Sequence, residues 1–116
     1  MNAKPASSQH PDGNLFAALP KDLFQENIQE ILSRDGVRIE RIVSKGHTSP
    51  ASGWYDQSSH EWVIVLKGSG NVQFEDGRET TLAAEDYLFI AAHVRHRETR
   101  TDPTNPTIWL AIFWPV

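Results

Sequence analysis

The stretch HEWVIVLKGSG (60–70) constrains this chain most, because a carboxylate, Glu61, heads a run of β-formers that a glycine turn closes at Gly68. Burying a charge at the head of a strand is costly unless a metal, a base or a ligand pairs with it. Further on, AEDYLFIAAHVRHRETR (84–100) repeats the design: a short apolar strand is followed by His93 and His96. A carboxylate and an imidazole on neighbouring strands make either a metal site or an acid/base pair.

The rest of the chain after Val37 also reads as strands. VRIERIV (37–43) alternates apolar and polar residues, as a half-buried strand does. NVQFEDGRETTL (71–82) is a hairpin turning at Asp76-Gly77, and YLFIA (87–91) and TIWLAIFW (107–114) are apolar runs separated by a turn at DPTNP (102–106). Short strands with turn signals every ten or so residues indicate an antiparallel sandwich or barrel. In 61–66, Glu61, Val63 and Val65 share one face and Trp62, Ile64 and Leu66 the other, so both faces are apolar. A doubly apolar strand in an antiparallel sheet needs cover on its outer side, and a homodimer is the expected assembly.

Before these strands, Leu23, Phe24, Ile28, Ile31 and Leu32 recur at helical spacing, with Pro20 and Asp22 ahead and Gly36 beyond. The spacing predicts one short amphipathic helix over 21–33, lying as a lid on the barrel. Residues 1–14 are rich in Pro, Ser, Asn and Gly and read as a flexible arm, leaving 15–116 as a single domain.

At 116 residues the chain has room for one core. Its 11 basic against 15 acidic residues leave no sustained basic face for a phosphate backbone, so nucleic acid is not an expected partner. Without cysteine there is neither a disulfide framework nor a thiolate zinc site. No apolar stretch approaches the ~20 residues of a membrane span, and the N-terminus lacks a signal-like apolar segment, so the expectation is a cytoplasmic protein.

Over roughly residues 37–114 the chain resembles the cupin superfamily, specifically its small single-domain members. Glu61 and Gly68 match the spacing of the glutamate and glycine in that family's first motif, and AAHVRH (91–96) aligns His96 with the terminal histidine of the second. The family's His-x-His falls on WYD (54–56), so Trp54 and Asp56 stand where two metal ligands would be. In the second motif Glu85, Ala91, His93 and Arg100 take the places of glycine, proline, glycine and asparagine. The resemblance implies an all-β double-stranded β-helix (jelly-roll) barrel, here preceded by the one short helix.

Several side chains are therefore candidates. Glu61 and His96 would be catalytic groups or metal ligands; the plainer alternative is a buried acid hydrogen-bonded to an imidazole. Asp56, His60 and His93 are the further candidate ligands, and Gln57 could offer an amide oxygen. His60 reaches the site only if its strand bulges, since it points away from the Glu61 face. Trp54 and Tyr55 are placed at the cavity mouth as substrate contacts, or else pack in the core, and Arg100 could reach an anionic substrate. His47 sits in a rim loop. Two functions remain open: a metal-dependent small-molecule enzyme (isomerase, dioxygenase or lyase) holding a divalent Fe, Mn, Ni or Zn ion, and a metal-free small-molecule binding or sensing module.

Overall fold

The computed structural model describes residues 10–49 and 53–116. Among them eight strands occur and no helix: β1 (Asn27–Arg34), β2 (Val37–Ser44), β3 (Ser59–Lys67), β4 (Ser69–Phe74), β5 (Glu79–Ala83), β6 (Tyr87–Ile90), β7 (His96–Thr101) and β8 (Thr107–Pro115). They form two antiparallel sheets, in the orders β1-β2-β8-β3-β6 and β5-β4-β7, which face each other across one core. Val63, Val65, Ile90, Trp109, Ala111 and Phe113 of the larger sheet meet Val72, Phe74 and Leu82 of the smaller one. The alternation of β3 is as its sequence dictates. Glu61, Val63 and Val65 are buried between the sheets, while Trp62, Ile64 and Leu66 are half-buried on the outer side.

The helix expected over 21–33 is not formed. Most of that segment is β1, which pairs with β2 from Asn27↔Val43 to Arg34↔Val37. Two features explain the misreading. A bulge between Glu30 and Leu32 inserts an extra residue, which converts strand alternation into the three- and four-residue spacing of a helix. Asp35 (φ 54°) and Gly36 (φ 82°) both adopt positive φ and close a two-residue hairpin. Asp-Gly is the preferred sequence for that turn, so Gly36 reverses a hairpin rather than ending a helix.

Among the described residues no helical lid covers the larger sheet either. Residues 15–18 cross its outer face as an irregular strap held by Arg41, which is 4 % exposed. Its guanidinium donates to the carbonyls of Leu15 (3.2 Å), Ala17 (2.7 Å) and Ala18 (3.5 Å). Between strap and sheet lies a cleft of about 710 Å³ lined by Leu15, Ile31, Ile39 and Leu110 among others. Of the arm expected over 1–14, residues 1–9 lie outside the described part; residues 11–14 are exposed and have no regular secondary structure.

Candidate functional site

Three strands and two irregular segments bring polar side chains into the interior. Glu61 of β3 pairs in register with Phe113 of β8 on one side and Ile90 of β6 on the other, so its carboxylate is set in an apolar frame and is only 8 % exposed. His96 opens β7 opposite Phe74 and is 6 % exposed. Its Nδ1 lies 2.9 Å from the carbonyl of Val94, a contact that places the hydrogen on Nδ1 and turns Nε2 toward the interior. Nε2 stands 3.7 Å from Glu61 Oε1.

Glu61 Oε1 has a closer neighbour. Gln57 Nε2 donates to it at 2.8 Å, and the Gln57 carbonyl accepts from the His93 amide at 2.8 Å, which ties the segment before β3 to the loop before β7. Burial pushes the Glu61 carboxyl above its ordinary range; Gln57 and His96 oppose that rise, the charge of Glu40 adds to it and Arg38 opposes it. Arg38 is itself bound to Glu40 at 3.0 Å and lies 4.3 Å above the Phe113 ring.

A second acid pair lies beyond His96 along β7, and sequence reasoning missed it. Glu98 follows His96 on the inward side of β7, hydrogen-bonded to Glu26, whose Oε2 accepts from Ser44 Oγ at 2.6 Å. Burial first, then the charge and hydrogen bond of Glu26, and last the charge of Glu61 push Glu98 up to about 8. The signal was present, since strand alternation places Glu98 on the same face as His96. Glu26 had no such signal, because it precedes β1 in the segment read as a helix.

The other candidates separate into groups. Asp56 and His93 meet each other, Oδ1 to Nδ1 at 2.7 Å, but both are exposed, and Arg95 takes the other Asp56 oxygen at 3.3 Å. The His93 hydrogen bond and Arg95 hold the Asp56 carboxyl below its usual range. His60 is on the outer face as strand geometry requires: its Nδ1 accepts from the Ala92 amide at 3.0 Å and its ring packs beside Phe89 and Trp114. Tyr55 pairs through its backbone with His96 and sets its ring 5.8 Å from the imidazole, at the edge of the site. Trp54 instead lies under the Arg97 guanidinium at 4.3 Å. Arg100 is exposed, because a bulge in β7 between Glu98 and Arg100 turns Thr101 inward in its place. His47 accepts from the Lys45 amide at 2.8 Å in its rim loop, of which residues 50–52 lie outside the described part.

A resident Fe, Mn, Ni or Zn ion needs at least three convergent nitrogen or oxygen donors. Among the described residues no group of three His, Cys, Asp or Glu side chains is arranged to hold one. Glu61 and His96 supply two donors, and Gln57 turns an N–H donor, not its oxygen, toward them. The donor set does not fit the metal.

Similarity to other proteins follows the barrel. A family model described as "Cupin domain" matches residues 41–113. The crystal structure of a "putative mannose-6-phosphate isomerase" from Ralstonia eutropha JMP134 is 40 % identical, covering 92 % of this chain and 100 % of that one, with a TM-score of 0.87. Two structures share the fold at lower identity. An RmlC-like cupin protein from Desulfovibrio desulfuricans is 15 % identical, covers 92 % of this chain and 99 % of its own, and has a TM-score of 0.71. An RmlC-like cupin with a double-stranded β-helix fold from Methanocaldococcus jannaschii is 16 % identical over 84 % of this chain and 86 % of its own, with a TM-score of 0.66. No curated protein matches the chain. Among the described residues no helix is long and apolar enough to cross a membrane.

Proposed function

The chain belongs to the cupin family, and we propose that its single barrel is a small-molecule binding module that works without a resident metal, with Glu61, His96, Gln57 and Glu98 as its polar contacts. The observation that carries this reading is the occupancy of Glu61 Oε1. The oxygen that would face a cation is hydrogen-bonded by the Gln57 amide at 2.8 Å, and among the described residues His96 alone stands ready as a second donor. An amide N–H pointed at a carboxylate stabilises its charge without any ion.

Such a site can still move a proton. Glu61, raised by burial, and the Nε2 of His96 lie close enough to share a ligand hydroxyl between them, Glu61 as acceptor and His96 as the group that holds or returns the proton. Tyr55 and Phe74, whose rings flank His96, would shield that exchange from water. This pair, with the 40 % identical relative, supports a second reading as a sugar isomerase. The two readings divide on turnover, not on binding.

Calorimetry tests the metal-free assignment. Zn²⁺ or Mn²⁺ titrated into tag-free protein should give the same weak heats for wild type and for His96→Ala. Stoichiometric binding that His96→Ala abolishes would return the protein to the metal-dependent class. The pair is proposed to work in a homodimer, because Trp62, Tyr87, Phe89 and Trp114 form an aromatic surface on the outer side of β3, β6 and β8.

A further inference from the structure

The most buried arginine among the described residues is one without a carboxylate partner. Arg38, Arg78 and Arg95 are more exposed, and each has a carboxylate oxygen within 3.3 Å. Arg41 is 4 % exposed, and among the described residues its guanidinium meets the carbonyls of Leu15, Ala17 and Ala18, which are dipoles and carry no net charge. Buried charges are ordinarily paired, so a cation held by neutral groups leaves room for an anion. The three contacts also divide the guanidinium unequally. Nη1 takes Leu15 and Ala17, whereas Nη2 has Ala18 at 3.5 Å, and Nε is closed to solvent with no partner among the described residues. Nε and Nη2 form the edge that binds a carboxylate side-on through two parallel hydrogen bonds.

The cleft beneath the strap supplies the space. Arg41 and Ala18 both line its volume of about 710 Å³, a size usual for a small-molecule pocket. Its apolar wall is aliphatic and continuous with the cation: Leu110 is the register partner of Arg41, Ile39 lies two residues along the same face of β2, and Ile31 and Leu15 complete it. Two acids also line the cleft, Asp12 and Glu30, but both are exposed, so water and salt screen them as they cannot screen a buried guanidinium. Ala18 adds an independent sign. It holds φ 52°, a left-handed conformation that is strained for a residue other than glycine, and such strain collects at ligand clamps and switch segments. The longest of the three carbonyl contacts is thus made by the strained residue.

We propose that this cleft is a ligand site separate from the Glu61–His96 interior, and that it takes a monocarboxylate with a short unbranched hydrocarbon chain. The hydrocarbon lies along Leu110, Ile39, Ile31 and Leu15, and the carboxylate binds Nε and Nη2 of Arg41 in place of the Ala18 carbonyl. Leu15 and Ala17 keep Nη1, so the strap stays on the sheet while one carbonyl turns aside. The exchange replaces one long contact to a dipole by two charge-assisted hydrogen bonds, each about twice as strong as a neutral one, and gives Nε an acceptor. One guanidinium with one open edge matches one carboxylate, whereas a phosphate dianion would retain uncompensated charge here.

Octanoate, 1-octanol and octylamine share one hydrocarbon chain and differ in the head group. Each is titrated into the full-length protein and followed by calorimetry and by the Nε–H resonance of Arg41. Octanoate should bind about tenfold or more tightly than 1-octanol, the difference expected of a charge-assisted fork, and should shift the Arg41 Nε–H signal downfield. Ile31→Glu, which sets a negative charge on the cleft wall at a position already 45 % exposed, should abolish both effects. Phe89→Lys, on the aromatic surface of the same sheet, should leave both intact. Equal affinity for octanoate and 1-octanol, or tighter binding of octylamine, overturns the carboxylate assignment. Octanoate binding that survives Ile31→Glu, or that Phe89→Lys removes, overturns the location. Absence of octanoate binding at millimolar concentration overturns the site altogether.

Discussion

Gln57 Nε2 comes within 2.8 Å of Glu61 Oε1, while His96 Nε2 stops at 3.7 Å from the same atom. The first is a hydrogen bond and the second is not. An amide, not the imidazole, therefore holds the carboxylate in place, and His96 Nε2 makes no hydrogen bond among the described residues.

Replacing Gln57 by Leu should push the Glu61 carboxyl further up, since it removes the largest influence opposing burial. A carbon-13 titration of the Glu61 carboxyl in wild type and Gln57→Leu reads this directly. An unchanged midpoint would mean that the amide does not stabilise the charge.

Glu98 makes stability depend on pH in a definite direction. Its folded value is about 8 against an ordinary 4.5, so between those values the unfolded chain ionises while the folded one keeps its proton. Stability is unaffected by this group below about pH 4.5, falls as pH rises, and stops falling above about 8, with a slope of at most ~1.4 kcal/mol per pH unit. Glu98→Gln, neutral at every pH, should gain in melting temperature relative to wild type between pH 5 and pH 9. Parallel melting curves across that range would show an ordinary carboxyl.

Gly70→Ala should destabilise the fold by about 1–3 kcal/mol, the usual cost of overpacking. A Cβ at this position is driven into the six-membered ring of Trp109, which is buried and has no room to retreat. Gly13→Ala meets nothing within 4 Å and serves as the control. Equal urea midpoints for the two variants would contradict the packing described.

The aromatic outer face gives a prediction about assembly. Tyr87 is 67 % and Phe89 52 % exposed on a sheet face where Phe89 also stacks on Trp114 at 5.9 Å. Phe89→Lys should turn a sedimenting dimer into a monomer while leaving the melting temperature of the barrel close to that of wild type. A wild-type protein that sediments as a monomer at high micromolar concentration would rule the dimer out.

Strands were legible where one rule governed each residue. β3 alternates because one side faces the core and the other an apolar exterior, and the Asp76-Gly77 hairpin forms where its turn residues stand. Both failures occur at bulges, where one extra residue breaks the two-residue period. The bulge in β1 imitated a helix, and the one in β7 turned Arg100 outward. Of the candidate residues, Glu61 and His96 reach the interior because β3 and β7 turn each of them inward. Asp56 and His93 also found each other, but outside the barrel. The role of Gln57 depends on how an irregular segment folds back, which no periodicity encodes. Glu26 lies in the irregular segment leading into β1 and is fixed by its bond to Ser44 of β2, which no helical or strand period marks.

Arg41 gathers three carbonyls of an otherwise irregular stretch onto one planar group rooted in the second strand. Three of the four strap residues are tied to that one guanidinium. The strap is held as a boat is by a single mooring, so residues 15–18 should detach together or not at all. Their departure would uncover a buried guanidinium whose Nε has no partner among the described residues. The opening of this surface is thereby coupled to the rehydration of one side chain, and the threshold for exposing the sheet is set by Arg41, not by the length of the segment that covers it.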